Sequence, residues 1–256
     1  MRHLPRKRFG QHFLVDDGII TSIVDAIHPQ TDDLMVEIGP GLEALTKPLM
    51  QKLKHLHAVE IDRDIVSRLE NNYPKTKLTI HAVDALTFDF GSLGKPLRVV
   101  GNLPYNISTP ILFHLADFAP SISDMTFMLQ KEVVERMVAA PSTSDYGRLS
   151  VALQYRFDME LLFLVPPEAF DPPPKVESAI VRMIPKPATN LLARDETLFA
   201  KITTTAFSQR RKTIRNTLID FLAPDDFVTL NLDSRLRAEN LSVTDYLHIA
   251  NYLHDK

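Results

Sequence analysis

The chain has 256 residues, 45% of them hydrophobic, which is enough for one or two domains with a real core and too apolar for a disordered or low-complexity chain. It has no cysteine, so a disulfide scaffold, a thiol nucleophile and thiolate-bound zinc are excluded. With 29 Lys and Arg against 32 Asp and Glu, the net charge of -3 argues against an indiscriminate polyanion binder.

The first fifteen residues carry Arg2, Arg6, Lys7 and Arg8 and no acid. They lack the apolar core of about 7 to 15 residues and the small-residue cleavage site of a secretory signal, so a cytoplasmic protein is expected. The longest aliphatic or aromatic run, 161–165, is far short of the roughly 18 residues that cross a bilayer, so no membrane partner is expected.

From residue 19 to about 140, short apolar runs alternate with amphipathic stretches of helical length. Strands are predicted at 34–38, 56–61, 78–83, 97–100 and 125–129, and helices at 18–27, 42–54, 64–73, 109–118 and 132–139. That alternation is the pattern of a parallel sheet wrapped by helices. Between 153 and 183, two β-rich stretches flank Pro166-Pro167 and Pro172-Pro173-Pro174, too close together for a crossover helix. An antiparallel pair closing the sheet is predicted there. Pro185-Lys186-Pro187 breaks regular structure, and 188–256 shows helical periodicity with almost no strand signal. The fold class is therefore α/β, a mostly parallel Rossmann-like sheet in a domain spanning 1–187, followed by a small α-helical domain, 188–256.

The first predicted strand runs into Glu37-Ile38-Gly39-Pro40-Gly41, where glycines let backbone approach a ligand and a helix is expected to follow at once. A plain connecting turn is the alternative. Ala44 satisfies the last position of a G-x-G-x-x-[GA] dinucleotide fingerprint, so an oxidoreductase stays open at this point. Glu60 lies 21 residues after Gly39, near the offset of a carboxylate that accepts from ribose hydroxyls, and Asp84 ends the third strand at the same edge. Each is equally readable as a helix cap. Glu37 is readable as an orienting group for the loop or as a buried structural carboxylate.

After the fourth strand comes Gly101-Asn102-Leu103-Pro104-Tyr105-Asn106. An adenine N6 amine is a poor nucleophile because its lone pair is delocalised into the ring. Acceptors on both of its N–H groups favour a tetrahedral nitrogen aimed at a methyl donor, which is catalysis by orientation. The Asn102 carbonyl and the backbone carbonyl of Leu103 or Pro104 suit that task, and Tyr105 suits stacking on an unstacked base. The nine histidines show no ligand spacing, and no metal is expected.

Arg6-Lys7-Arg8-Phe9-Gly10-Gln11-His12-Phe13-Leu14, residues 36–41, GNLPYNIST (101–109), Tyr146-Gly147-Arg148-Leu149-Ser150, FDPPPKV (170–176) and Gln209-Arg210-Arg211-Lys212-Thr213-Ile214-Arg215-Asn216 occur in this order. Together they resemble the KsgA (RsmA) ribosomal RNA adenine dimethyltransferases over essentially the whole chain. The resemblance implies S-adenosylmethionine as cofactor. It implies as substrate two adjacent adenines in the 3'-terminal hairpin of 16S ribosomal RNA in the assembling 30S subunit, each receiving two methyl groups. It assigns the cofactor to Gln11, His12, Leu14, Gly39, Gly41, Glu60, Asp84 and Asn102, and the base to Asn102, Leu103, Pro104, Tyr105 and Phe170. The family often has Asn where this chain has His12, so the resemblance gives that side chain no role, and without the resemblance Phe170 reads more readily as a core aromatic beside a proline turn than as a base platform.

On a helical wheel Phe207, Ile214 and Leu218 form a narrow apolar stripe flanked by Arg210 on one side and Lys212 and Arg215 on the other. The absence of any acid between Lys201 and Arg215 in a net-acidic chain points to phosphate contact by Arg210, Arg211, Lys212 and Arg215. Arg6, Lys7 and Arg8 are expected to hold RNA near the methyl group. No protein partner is inferred, and a monomer is the default. Competing readings are an Erm-type methyltransferase of large-subunit RNA, disfavoured by a sequence pI of about 6.3, and a non-catalytic ribosome-assembly or transcription factor. An NAD-dependent oxidoreductase is weakest, since nothing beside Asn102 supplies a hydride-transfer acid or base.

Overall fold

A computed structural model describes residues 12–256. The described chain forms two compact units, one running to Val134 and resuming over Met159–Pro185, the other comprising Glu135–Asp158 and Lys186–Lys256.

In the first unit, β1 (Phe13–Leu14) precedes α1 (Asp17–Ile27), and β2 (Leu34–Ile38) precedes α2 (Thr46–Lys52). Then come β3 (Leu56–Val59), α3 (Arg63–Asn72), β4 (Leu78–His81), β5 (Leu97–Asn102), α4 (Ser108–Ala116) and β6 (Ile122–Gln130). α5 (Lys131–Val138) and α6 (Arg148–Arg156), the latter within the second unit, precede β7 (Phe157–Val165), β8 (Phe170–Asp171) and β9 (Ser178–Pro185). The sheet order is β4-β3-β2-β5-β6-β9-β7. From β4 to β6 the pairing is parallel, and β9 joins β6 antiparallel with Met125 opposite Met183. The mostly parallel sheet with reversed pairing at one end thus matches the sequence expectation. β1 and β8 form a separate antiparallel ladder, Leu14 opposite Phe170.

The local causes are plain. β2 is the near-continuous apolar run Leu-Met-Val-Glu-Ile, with Met35, Val36 and Ile38 buried, as a strand covered on both faces requires. Asp16 caps α1 by accepting from the Ile19 amide, and Asp62 caps α3 by accepting from Asp64. Gly101 cannot carry a side chain, because a Cβ there would lie 2.5 Å from the Ile38 carbonyl oxygen of the neighbouring strand.

Several boundaries differ from the sequence reading by a few residues, and three of the differences change how the chain is read. No helix begins directly after Gly41. Gly39 (φ 69°), Gly41 (φ 52°) and Glu43 (φ 73°) are left-handed, so residues 40–45 form turns and α2 waits until Thr46. The third predicted strand ends at His81, three residues before Asp84. The stretch from 153 to 156, read as β-rich, is the end of α6.

The second unit has its own core, including Tyr146, Val151, Phe199, Ile214 and Tyr246. Its remaining helices are α7 (Glu196–Ala206), α8 (Ile214–Thr217), α9 (Pro224–Thr229) and α10 (Val243–Asp255). The sequence put a single boundary at 187/188, whereas the helical unit also takes Glu135–Asp158, and with it α6. Nor is 207–218 one helix. α7 ends at Ala206, residues 207–213 turn, and the Ile214 and Arg215 amides donate to Leu236 and Ser234 carbonyls instead of back along a helix. Ile214 and Leu218 are nonetheless buried, so the apolar stripe was read correctly as core and incorrectly as one helical face.

Candidate functional site

At the carboxyl edge of β2, β3 and β5 lies a cavity of about 260 Å³, in the place where open α/β sheets bind ligands. Its wall includes Leu14, Gly39, Gly41, Glu60 and Asp84, with Asn102 and Tyr105 on the β5 side. His12, Leu103 and Pro104 line it as well. The sequence-predicted residues of strands one to four therefore converge on one space. Among the described residues, no group of three or more His, Asp or Glu is placed to hold a metal ion.

Glu60 follows β3 and is buried. Its Oε1 accepts from the Ile61 and Asp62 amides at 2.9 and 2.8 Å, which fills that oxygen, so the carboxylate's remaining acceptor capacity for a ligand lies on Oε2, alongside the Gly41 amide. Burial pushes its pKa up, and the neighbouring Asp62, Ile61 and Gly41 amides pull it back. The helix cap is Asp62, so Glu60 does not serve as one. Asp84 lies beyond β4 in a turn, with Oδ1 accepting from the Leu86 amide at 2.9 Å. Glu37, on β2, is buried and accepts from Thr46 Oγ1 at 2.7 Å. Desolvation, reinforced by Glu60 and Glu43 nearby, lifts its pKa to about 8 after the Thr46 hydrogen bond has drawn it down. Glu43, at the apex of the glycine turn, takes hydrogen bonds from Arg68, Asn72 and Tyr73 and so ties the loop to α3 and the residue after it.

Asn102 is the last residue of β5. Its Nδ2 donates to the His12 carbonyl at 3.4 Å, so Oδ1 is the end left to accept. The Leu103 amide donates to Met128 and the Pro104 carbonyl accepts from Ile107, while the Leu103 carbonyl takes no hydrogen bond among the described residues. The turn therefore presents two acceptors, Asn102 Oδ1 and Leu103 O. Tyr105 is half-buried, with its hydroxyl 2.7 Å from Ser178 Oγ, and burial raises its pKa against the lowering effect of that hydrogen bond.

Phe170 departs from expectation. It is 4% exposed, pairs with Leu14 across the β1–β8 ladder and packs in the core, and it does not line the cavity. The expectations for Arg6, Lys7, Arg8 and Gln11 fall outside the described residues. Sequence reasoning missed Ile61, an apolar residue 51% exposed on the cavity wall, and Ser178, fully buried beneath Tyr105. Ile61 was findable as the apolar neighbour of a site carboxylate. Ser178 carried no signal, since only the register of β9 on β6 brings it to Tyr105.

In the helical unit Arg211, Lys212 and Arg215 are exposed and make no ion pair among the described residues. Arg210 differs from them, because its guanidinium donates to the Ser144 carbonyl at 2.9 Å and lies 3.7 Å from Glu239.

Comparison with known proteins agrees with this geometry. The model of the family described as ribosomal RNA adenine dimethylase matches residues 2–255. The chain is 65% identical to "Ribosomal RNA small subunit methyltransferase A" of Thiobacillus denitrificans, over 98% of each chain. Among solved structures it is similar to a dimethyladenosine transferase from Plasmodium falciparum, with TM-score 0.82 and 26% identity over 95% of this chain and 98% of that one. It shares its fold with the 23S rRNA methyltransferase ErmE, with TM-score 0.72 and 24% identity over 94% and 99% of the two chains. A relative this similar, and a family model matched from end to end, leave one conclusion: the chain belongs to the ribosomal RNA adenine dimethylase family.

Proposed function

We propose that this protein transfers methyl groups from S-adenosylmethionine to N6 of two adjacent adenines in the 3'-terminal hairpin of 16S ribosomal RNA, two on each, while the small subunit is being assembled in the cytoplasm. The observation that carries the chemistry is the Asn102 turn. With Nδ2 engaged by His12, the Asn102 carbonyl stands with the Leu103 carbonyl as a pair of acceptors on the cavity wall, beside the Tyr105 ring.

The residues present fit the cofactor. Glu60 keeps acceptor capacity for ribose hydroxyls, Ile61 offers an apolar surface for a purine, and Gly41, left-handed at φ 52°, holds the turn on the cavity wall. Asp84 supplies a further carboxylate on the same wall, and Leu14 an apolar one. Gly39 and Gly41 give close backbone approach on the Glu37 side, where a carboxyl oxygen suits a hydrogen bond from the methionine ammonium. When bound, S-adenosylmethionine supplies an electrophilic methyl group. Asn102 Oδ1 and Leu103 O accept the two N–H groups of the adenine amine and hold its lone pair on the line of attack. Tyr105 stacks on the base, and no strong base is required because the methylated nitrogen readily loses its proton to solvent. After the first transfer one N–H remains, so the second transfer uses one acceptor fewer.

Arg211, Lys212 and Arg215 are the phosphate contacts in this reading. Arg210, tied to Ser144 and Glu239, braces the turn that carries Arg211 and Lys212. The test is incubation with methyl-labelled cofactor and, separately, immature small subunits, mature subunits and naked RNA, followed by mapping of the modified base. Dimethyladenine at two adjacent positions of the 3'-terminal hairpin is expected. Label at large-subunit RNA or on a different base would refute the assignment.

A further inference from the structure

The imidazole of His12 lies along the ring of Tyr105, with centroids 5.8 Å apart and planes 25° apart. Its Nδ1 is 2.9 Å from the carbonyl oxygen of Pro172, in the segment that follows β8. Tyr105 is fixed from its other end by the hydrogen bond to Ser178, which is fully buried on β9 opposite Gln130. Swinging Tyr105 aside would break a hydrogen bond anchored in the sheet. His12 is held by a single side-chain hydrogen bond at an exposed carbonyl, so the imidazole is the partner that moves.

Stacked rings sit about 3.4 Å apart, so a base held between two rings separates them by about 6.8 Å. The rings here are 5.8 Å apart, which leaves no room for a base between them as they stand. An adenine that stacks on this face of Tyr105 must take it from the imidazole.

We propose that His12 is a specificity-determining residue of the base site: it covers the Tyr105 face in the free protein, and only a base that stacks more strongly than the imidazole displaces it. This rests on Tyr105 being the base platform. A purine presents a larger π face than a pyrimidine, so the exchange favours adenine over cytosine or uracil before any hydrogen bond to N6 is made. It also gives the side chain a role on the substrate side of the cavity, while its backbone carbonyl orients Asn102.

The experiment is steady-state methylation of immature small subunits by the full chain, comparing wild type, His12→Ala and Tyr105→Ala. Binding is measured in parallel to subunits carrying cytosine at the two target positions. His12→Ala is expected to lower the apparent KM for subunits by about 2- to 10-fold, the factor associated with one aromatic pair, and to narrow the discrimination between adenine and cytosine. An apparent KM that rises or stays the same in His12→Ala, or an undiminished preference for adenine, would overturn the proposal. Tyr105→Ala separates the two levels. If it raises the KM and His12→Ala does not lower it, only the role of His12 fails. If Tyr105→Ala leaves the KM alone, the platform itself is elsewhere.

Discussion

Replacing Glu37 with Gln tests the electrostatics of the cavity floor quantitatively. The wild-type carboxyl is buried and its pKa is lifted from 4.5 to about 8, first by desolvation. A group whose folded-state pKa is raised contributes its full stability below the unfolded value and loses it as pH climbs towards the folded value. Between about pH 4.5 and 8 the unfolded chain gives up this proton and the folded one keeps it, so wild-type stability falls by about 1.4 kcal/mol per pH unit from this group alone. At about pH 7 the accumulated loss is on the order of 3 kcal/mol. Glu37→Gln removes the titration, and its amide oxygen still accepts from Thr46 Oγ1. The assay is urea unfolding of the cofactor-free protein across that range, for wild type and variant side by side. The two should be close near the low end, with the variant gaining steadily towards pH 8. Curves that run parallel would show that Glu37 is ionised in the folded protein and that the cavity floor is better solvated than its burial implies.

Three further outcomes follow from the geometry. Glu60→Gln preserves an oxygen for the Ile61 and Asp62 amides but removes the anionic acceptor, and it should weaken S-adenosylmethionine binding by about 1.5 to 3 kcal/mol in calorimetry. Unchanged affinity would remove Glu60 from the cofactor site. Ser178→Ala should raise the KM for subunits by the equivalent of about 0.5 to 1.5 kcal/mol, and should add nothing in a Tyr105→Phe background, because the two hydroxyls form one hydrogen bond. Additive effects would mean that Ser178 does not act through Tyr105. Neutralising Arg211, Lys212 and Arg215 should lower the salt-dependence slope of subunit binding by about one for each cation removed, and an unchanged slope would make the patch a solvated face.

The legible parts of this protein were those where one strand or one turn carries its own signal. Residues 34–38 were read to the residue because an apolar run is bounded by Asp33 and Gly39. Asn102 to Tyr105 stood out because an Asn, a Leu-Pro turn and an aromatic together have a chemical use. Glu60 was legible as an edge carboxylate, but only the folded backbone separates it from the cap, which is Asp62 two residues on. Pairings set by tertiary register were not legible. β1 and β8 are two residues each and have no period to read. α6 was hidden for a different reason, since Val151, Leu153, Tyr155 and Phe157 are buried at every second position and mimic a strand. In the basic stretch the charges were visible, but the break after Ala206 was not, because the chain beyond the 207–213 turn is fixed by hydrogen bonds from the Ile214 and Arg215 amides to distant backbone at Leu236 and Ser234.

The central claim is that the Asn102 turn accelerates methyl transfer by orienting the adenine amine, and the most direct measurement is the single-turnover rate of Asn102→Ala with cofactor and immature subunits both saturating. Loss of the Oδ1 acceptor predicts a fall of about 10² to 10³ in that rate, the scale of removing one preorganised hydrogen-bonding group from a transition state. A loss of only a few-fold under saturation would contradict the account, because the amine would then be reaching the methyl group without this turn to aim it.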